Sequence, residues 1–377
     1  MDLDLTDAQR ALRDQAREVS LRELAPQAAE VDRLQRFAPA VVLRLAKLGM
    51  LGVTVPKAWG GAGLDAVAAA LMTEELASGC ASTASVVSVQ NLLCEPILHF
   101  GTEPQKRAWL PAITSGASLG GFALTEAGGS GPASVVTLAR REGDGFVLRG
   151  SKSFVTCAPV AQVVLVFAVT SPGDQDSLSA FLVPCAGAGV SVGPPHTKLG
   201  LRGAVSSTMT FEDVRLSPDA MLGAEGRGRG ILRFALDGGR IQAAAVAVGI
   251  ARAAFEAATR YALARRTNGE AIANHQTIQF KLAEMSTQID AARLLAWRAA
   301  DARDRGANAS AHAAMAKLVA SEAASRAASD AVQVLGGNGC LVDYAVERHF
   351  RDAKVTEIYE GTSEIQRLAI ATALLKE

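Results

Sequence analysis

From Thr6 to about Ser115 the apolar residues recur at helical spacing. Thr6 is placed to cap a first helix whose inward side carries Ala8, Leu12 and Ala16. Val41, Leu45 and Leu48 define a second helix from Ala38 to Met50, with Gly52 as its stop. Asp65–Ser78 and Ser85–Phe100 predict two more, and Thr102-Glu103-Pro104 opens another with proline in its first turn. Between Leu119 and Leu216 the texture changes to short β-rich runs, among them 145–149, 163–167 and 179–183, separated by Gly, Pro, Asp and Ser. A small antiparallel β domain is expected there. Long helical patterns return over 230–266, 276–305 and 308–335, and a last one runs from Thr362 to Lys376. Four such helices predict an antiparallel bundle. The expected fold is thus α+β and mainly α, divided into 1–117 (helical), 118–222 (β) and 223–377 (four-helix bundle).

Composition narrows the function. The 377 residues carry 38 Lys+Arg against 38 Asp+Glu, so nothing favours a polyanionic partner such as nucleic acid or an acidic membrane surface. Hydrophobic residues make up 49%, which excludes a mainly disordered chain. The start lacks the basic and apolar regions of a secretory signal, and the apolar run Ile241–Ala251 ends at Arg252, so it reads as a core helix and not a membrane span. Five scattered cysteines without a CxxC predict a reduced, cytoplasmic protein without a structural metal.

Four segments are chemically unusual. In Phe122–Gly131 a strand enters a Gly/Ser-rich turn whose N–H groups suit an anion, or make an ordinary hairpin. Arg265-Arg266-Thr267-Asn268-Gly269 and Asn274-His275-Gln276 form a polar break between long helices; Arg265 suits a phosphate, and a solvated loop is the alternative. Gln333-Val334-Leu335-Gly336-Gly337-Asn338-Gly339 either lets a ligand approach the backbone or caps a helix. In Arg351–Ile365, Glu360 stands between Tyr359 and Gly361 just before Thr362, where apolar neighbours would make it a stronger base; a glutamate merely exposed before a helix is the alternative. Gly226-Arg227-Gly228-Arg229-Gly230 lacks GxGxxG spacing and a preceding strand, and reads as a helix entry.

Taken in order, these segments resemble the acyl-CoA dehydrogenase family, nearest its short-chain (butyryl) branch. The run Arg348–Arg367 is the most specific match, supported by Phe122–Glu126, Lys198–Gly203, Leu236–Arg240 and Gln279–Met285. The resemblance implies a helical domain, a β domain and a four-helix bundle, FAD held without a Rossmann fold, and a homo-oligomer, tetramer or dimer, with FAD across a subunit interface. It implies α,β-dehydrogenation of an acyl thioester, with Glu360 as the α-proton base and hydride passing to flavin N5. In some relatives the base occupies the position of Gly239, which cannot serve. Phe122, Leu124, Thr125, Phe154 and Thr156 match residues around the flavin ring. Gly129 and Ser130 match the turn near the FAD phosphates and the pantetheine. Arg265, Thr267, His275, Gln276, Gln333 and Gly337 match groups that hold the diphosphate and adenosine of a neighbouring subunit's FAD. Thr362 and Glu364 match further FAD contacts, and Ser130, Asp237, Arg240, Tyr359 and Gly361 match the substrate side. An electron-transfer flavoprotein is the expected acceptor.

The chain departs from the family pattern at four places. The turn after Glu126 is one residue shorter and lacks its Asp, Cys157-Ala158 replaces Asn-Gly, Asn268 replaces an aromatic, and Ala204 replaces a Ser. The first and last lie near the thioester carrier, so an acyl carrier protein stands beside CoA as the carrier. A related flavin oxidase or monooxygenase, and a non-catalytic member, are the alternative readings.

Overall fold

The computed structural model describes residues 4–375, with the backbone alone for Gln175. Met1–Leu3 and Lys376, the expected end of the last helix, lie outside the described residues. Helix α1 (Asp7–Val19) begins with a reciprocal cap: Gln9 N donates to Thr6 Oγ1 at 3.2 Å and Thr6 N to Gln9 Oε1 at 2.9 Å. Helices α2 (Ala25–Leu34) and α3 (Pro39–Lys47) follow. The two helices expected between Asp65 and Phe100 are joined end to end as α4 (Ala66–Phe100), bent at Cys80, whose φ of −153° and ψ of 101° break the helical path. Asp65 caps its start through Ala68 N at 2.7 Å. Nearly every side chain of α4 is buried, which explains why it shows no clear polar face in the sequence. Helix α5 (Glu103–Thr114) repeats the capping box with Thr102 and Gln105.

The middle region is one sheet: β1 (Gly120–Ala123), β2 (Leu138–Glu142), β3 (Gly145–Thr156), β4 (Val163–Val169), β5 (Leu178–Pro184), β6 (Val190–Val192), β7 (Ser206–Leu216) and β8 (Met221–Leu222), in the order β6-β7-β3-β2-β4-β5-β8. The expectation of a purely antiparallel domain is corrected here. β1 runs parallel to β4 with Gly120 opposite Val163, and β2 meets β4 in parallel at Leu138–Val169. Alternation along a strand records which face is buried, not the direction of its neighbour. β4 itself is buried on both faces.

The C-terminal region contains α6 (Gly228–Ala264), the short strands β9 (Arg266–Thr267) and β10 (Glu270–Ala271), α7 (Gln276–Asp304), α8 (Ser310–Leu335), α9 (Val346–Thr356) and α10 (Ser363–Leu375). The expected interhelical loop is therefore a hairpin, with Asn268 and Gly269 both left-handed at its tip. Helix α9 was not among the expected helices. α6 is long and apolar enough to cross a membrane, but its apolar stretch is mostly buried against other helices. Alanines on α8, including Ala313, Ala316, Ala320 and Ala324, are buried and permit close packing on α6. The Asp304 carboxylate accepts N–H bonds from Ala66 at 2.8 Å and Val67 at 3.1 Å, fastening the end of α7 to the start of α4. Burial raises its pKa to about 6.

Candidate active site

Glu360 lies in the short link between α9 and α10. Its φ is +55°, a left-handed conformation that non-glycine residues adopt at a cost of about 1–2 kcal/mol. Gly361 follows with φ +93°. The turn is held from two sides. Gln366 Nε2, fully buried, donates to the carbonyls of Glu360 (3.1 Å) and Gly361 (2.8 Å). Lys317 Nζ, from α8, donates to the Gly361 carbonyl at 2.7 Å. The Glu360 carboxylate then lies on α6 at Gly239: a Cβ built there would overlap Oε2 and stand 3.0 Å from Cδ and 3.2 Å from Leu92 Cδ1. A helix surface bare of side chains is what lets the acid sit so close.

Oε2 is buried and, among the described residues, has no hydrogen-bond partner. No acceptor is found there for the Glu360 N–H either. Burial raises the pKa of the acid, opposed by the Arg240 and Lys317 cations. Arg240 reaches Asp237 Oδ1 at 3.4 Å, and Asp237 Oδ2 accepts from Ser310 Oγ at 2.5 Å. Tyr359, beside the acid, has its phenol pushed up by burial.

α4 connects this acid to the sheet. Two residues before Leu92, the Gln90 amide accepts from Gly120 N (2.8 Å) and donates to Gly120 O (3.2 Å), fixing the start of β1. The strand continues through Phe122 and ends at Ala123, and the chain runs on through Leu124 to the partly exposed Thr125. Thr125 O accepts from Ser153 N at 2.8 Å, so Thr125 lies beside the end of β3. There Phe154 has φ +57° and is 67% exposed, a large apolar ring turned outward against all packing economy. Thr156 ends the strand, and Cys157 behind it is also left-handed, at φ +66°. Asn or Gly would adopt that conformation more easily, so Cys157 holds it at some strain.

The turn after Thr125 is closed by paired bonds between Glu126 and Gly129, with Ser130 exposed beyond it. Its anchor is internal. The Glu126 carboxylate accepts from Val136 N (2.8 Å), Thr137 N (3.1 Å) and the fully buried Lys152 Nζ (2.6 Å), which also donates to Leu124 O.

The remaining expected cofactor residues lie elsewhere. Arg265, Thr267, His275 and Gln276 are exposed just before, on and after the β9–β10 hairpin, with Thr267 Oγ1 3.2 Å from His275 Nε2. Gln333 and Gly337 are exposed at the end of α8. Asn338 Nδ2 bonds Tyr261 OH at 2.9 Å, which brings the ends of α6 and α8 together. Gln333 is about 24 Å along α8 from Lys317, and Arg265 about 39 Å along α6 from Gly239, at 1.5 Å per residue. One chain thus presents two separate clusters. Thr362 and Glu364 stay with the first, at the start of α10. The second is chemically suited to a diphosphate: among the described residues the Arg265 guanidinium pairs with no carboxylate, and open space surrounds Gly337.

Family models for the N-terminal, middle and C-terminal domains of acyl-CoA dehydrogenase match residues 6–117, 121–214 and 226–375. The chain belongs to the acyl-CoA dehydrogenase family. It is 45% identical to the human mitochondrial short-chain specific acyl-CoA dehydrogenase over 99% of this chain and 92% of that protein. The butyryl-CoA dehydrogenase of Megasphaera elsdenii superposes with a TM-score of 0.96 at 38% identity, covering both chains fully. A glutaryl-CoA dehydrogenase of Mycobacterium smegmatis, in complex with FADH2, gives 0.94 at 31% identity over 99% of this chain and 96% of that one.

Within this acyl-CoA dehydrogenase fold, sequence reasoning passed over Lys152, Lys317 and Gln366. Each is buried, and each reaches a partner distant in the chain or a backbone carbonyl. The signal available was a lysine inside an otherwise apolar pattern, as in Ala316-Lys317-Leu318. Among the described residues no cluster suits a metal ion.

Proposed function

We propose that this protein dehydrogenates a short-chain acyl thioester between its α and β carbons, with FAD as cofactor and Glu360 as the base. The observation that carries this reading is one residue with two unused polar groups: the buried, unpartnered Oε2 of Glu360 and its unpartnered N–H. A thioester α-proton is far too weak an acid for a carboxylate unless the developing oxyanion is stabilised as the proton leaves. The Glu360 N–H is free to donate to that oxygen while the carboxylate of the same residue takes the proton. Burial strengthens the base, and Arg240 and Lys317 favour its ionised form. Asp237 and Tyr359 flank the acid on the substrate side. FAD, when bound, supplies the acceptor for the β-hydrogen. Phe122, Leu124, Thr125, Phe154 and Thr156 would border its ring, with Gly129 and Ser130 at the neighbouring turn.

The second cluster, from Arg265 to Gly337, would hold the diphosphate and adenosine of a cofactor bound mainly by another copy of the chain. A homo-oligomer follows from that reading. Exposed apolar side chains on the bundle, such as Leu263, Phe280 and Leu368, are consistent with such contacts. An electron-transfer flavoprotein is the proposed acceptor and CoA the proposed carrier. The short turn after Glu126 keeps an acyl carrier protein as the alternative carrier.

Purified protein should be yellow and should bleach anaerobically with butyryl-CoA. Glu360→Gln should keep the colour and lose reduction rate by about 10²–10⁴-fold. Parental reduction by that variant would refute the base assignment. Rapid reoxidation by air, with peroxide or hydroxylated product, would favour the oxidase reading.

A further inference from the structure

We propose that Lys317 and Gln366 are positioning residues that clamp Glu360 in its left-handed, reactive conformation. This rests on Glu360 being the base. The Gly361 carbonyl receives two side-chain donors, Lys317 Nζ at 2.7 Å and Gln366 Nε2 at 2.8 Å, and the Glu360 carbonyl receives the second bond of Gln366 at 3.1 Å. Both donors are fully buried. They come from different helices, α8 and α10, so the turn is tied to both.

The chemistry explains why such donors are needed. A glutamate at φ +55° tends to relax toward a right-handed or extended conformation. Relaxation would rotate the carboxylate off Gly239 and turn the N–H away with it. Two carbonyls held by fixed donors resist that rotation. A buried ammonium is costly, and packing alone would be served by methionine, so a lysine at 317 points to a polar duty. Its bonding target is backbone, which fixes a conformation without neutralising the acid. Its charge also faces Glu360, together with Arg240 from α6, Glu357 and Tyr359 from the same link, and Glu364 from α10.

The test compares Lys317→Met, Lys317→Arg, Gln366→Leu and Glu360→Gln, each as flavin-loaded full chain, in anaerobic reduction by butyryl-CoA across neutral pH. Rates are normalised to bound flavin. Lys317→Met should lose rate by about 10²-fold, as expected of a base displaced by about 1 Å. Its acid limb should move to higher pH, because a cation facing the carboxylate has gone while the other charges remain. Lys317→Arg should restore the limb and part of the rate. Gln366→Leu, with no change of charge, leaves Lys317 on the Gly361 carbonyl and strips only the Glu360 carbonyl of its donor, so it should lose about tenfold, the worth of one good hydrogen bond, with the limb unmoved. KM should change little in any of them. If Lys317→Met fails to hold flavin, Gln366→Leu and Lys317→Arg decide. Parental rates and pH profiles in the clamp variants, with Glu360→Gln inactive, would overturn the clamp alone. An active Glu360→Gln would instead remove the base assignment beneath it.

Discussion

Gly239→Ala is the sharpest test of where the acid lies. In an ordinary helix this change stabilises, by at most about 1 kcal/mol. Here the new Cβ would overlap Glu360 Oε2, and it would stand 3.0 Å from Cδ and 3.2 Å from Leu92 Cδ1. The obstructing atoms are the far ends of flexible side chains, so the fold should survive and the carboxylate should move by about 1 Å. A displacement of that size costs a proton transfer about 10²-fold, or about 2.7 kcal/mol at 1.36 kcal/mol per decade. The expected outcome is a variant at least as stable to heat as the parent, with full flavin content and about a hundredfold slower anaerobic reduction by butyryl-CoA. Gly230→Ala, in the same helix with nothing within 4 Å of the added carbon, is the control and should leave the rate unchanged. Parental reduction by Gly239→Ala would show that the carboxylate does not work from its place over that glycine.

Three further outcomes are expected. Because burial raises the Glu360 pKa above its ordinary 4.5, and a protonated acid cannot accept the α-proton, the reduction rate should rise with pH through a titration above that value; a profile already level at pH 4.5 would contradict it. Lys152→Met should strand the Glu126 carboxylate, which is buried with two N–H donors, and cost about 3–5 kcal/mol; a thermal melt reads it, and adding Glu126→Gln should recover part. Arg265→Ala should weaken FAD uptake by about 10–100-fold, the loss of a charge-assisted bond; if the two clusters serve different chains' cofactors, co-refolding it with Glu360→Gln should yield oligomers more active than either variant alone.

The helices were legible where caps and faces cooperate. Thr6 and the opening Thr102-Glu103-Pro104 marked their helices because caps are local; Gln9 and Gln105, which complete the two capping boxes, emerged only in the structure. α9 was not legible, since it is short, made mostly of charged and polar residues, and lies inside the motif that announces Glu360. β1 was legible as a strand but not as a parallel partner of β4, because pairing direction is decided by where the chain comes from. The bend at Cys80 is similarly a product of packing: α4 is buried so completely that its neighbours, not its own pattern, set its path.

The site shows the same division more sharply. Glu360 was legible as a candidate because Tyr359-Glu360-Gly361-Thr362 occupies consecutive positions, whereas Gly239 entered only through the family resemblance. The residues that shape Glu360 were not, since Lys317 and Gln366 meet the turn only after α8 and α10 have folded around it. The residues that the resemblance assigns to a neighbouring subunit's FAD, Arg265 to Gly337, lie tens of ångströms along α6 and α8 from those around Glu360. That separation has a physical consequence. A chain whose acid and whose diphosphate-suited arginine lie at different ends cannot complete a cofactor site by local rearrangement, because the intervening helices are rigid and buried. On the proposed reading, assembly must therefore precede catalysis, and dilution below the assembly constant should release flavin before it unfolds the chain.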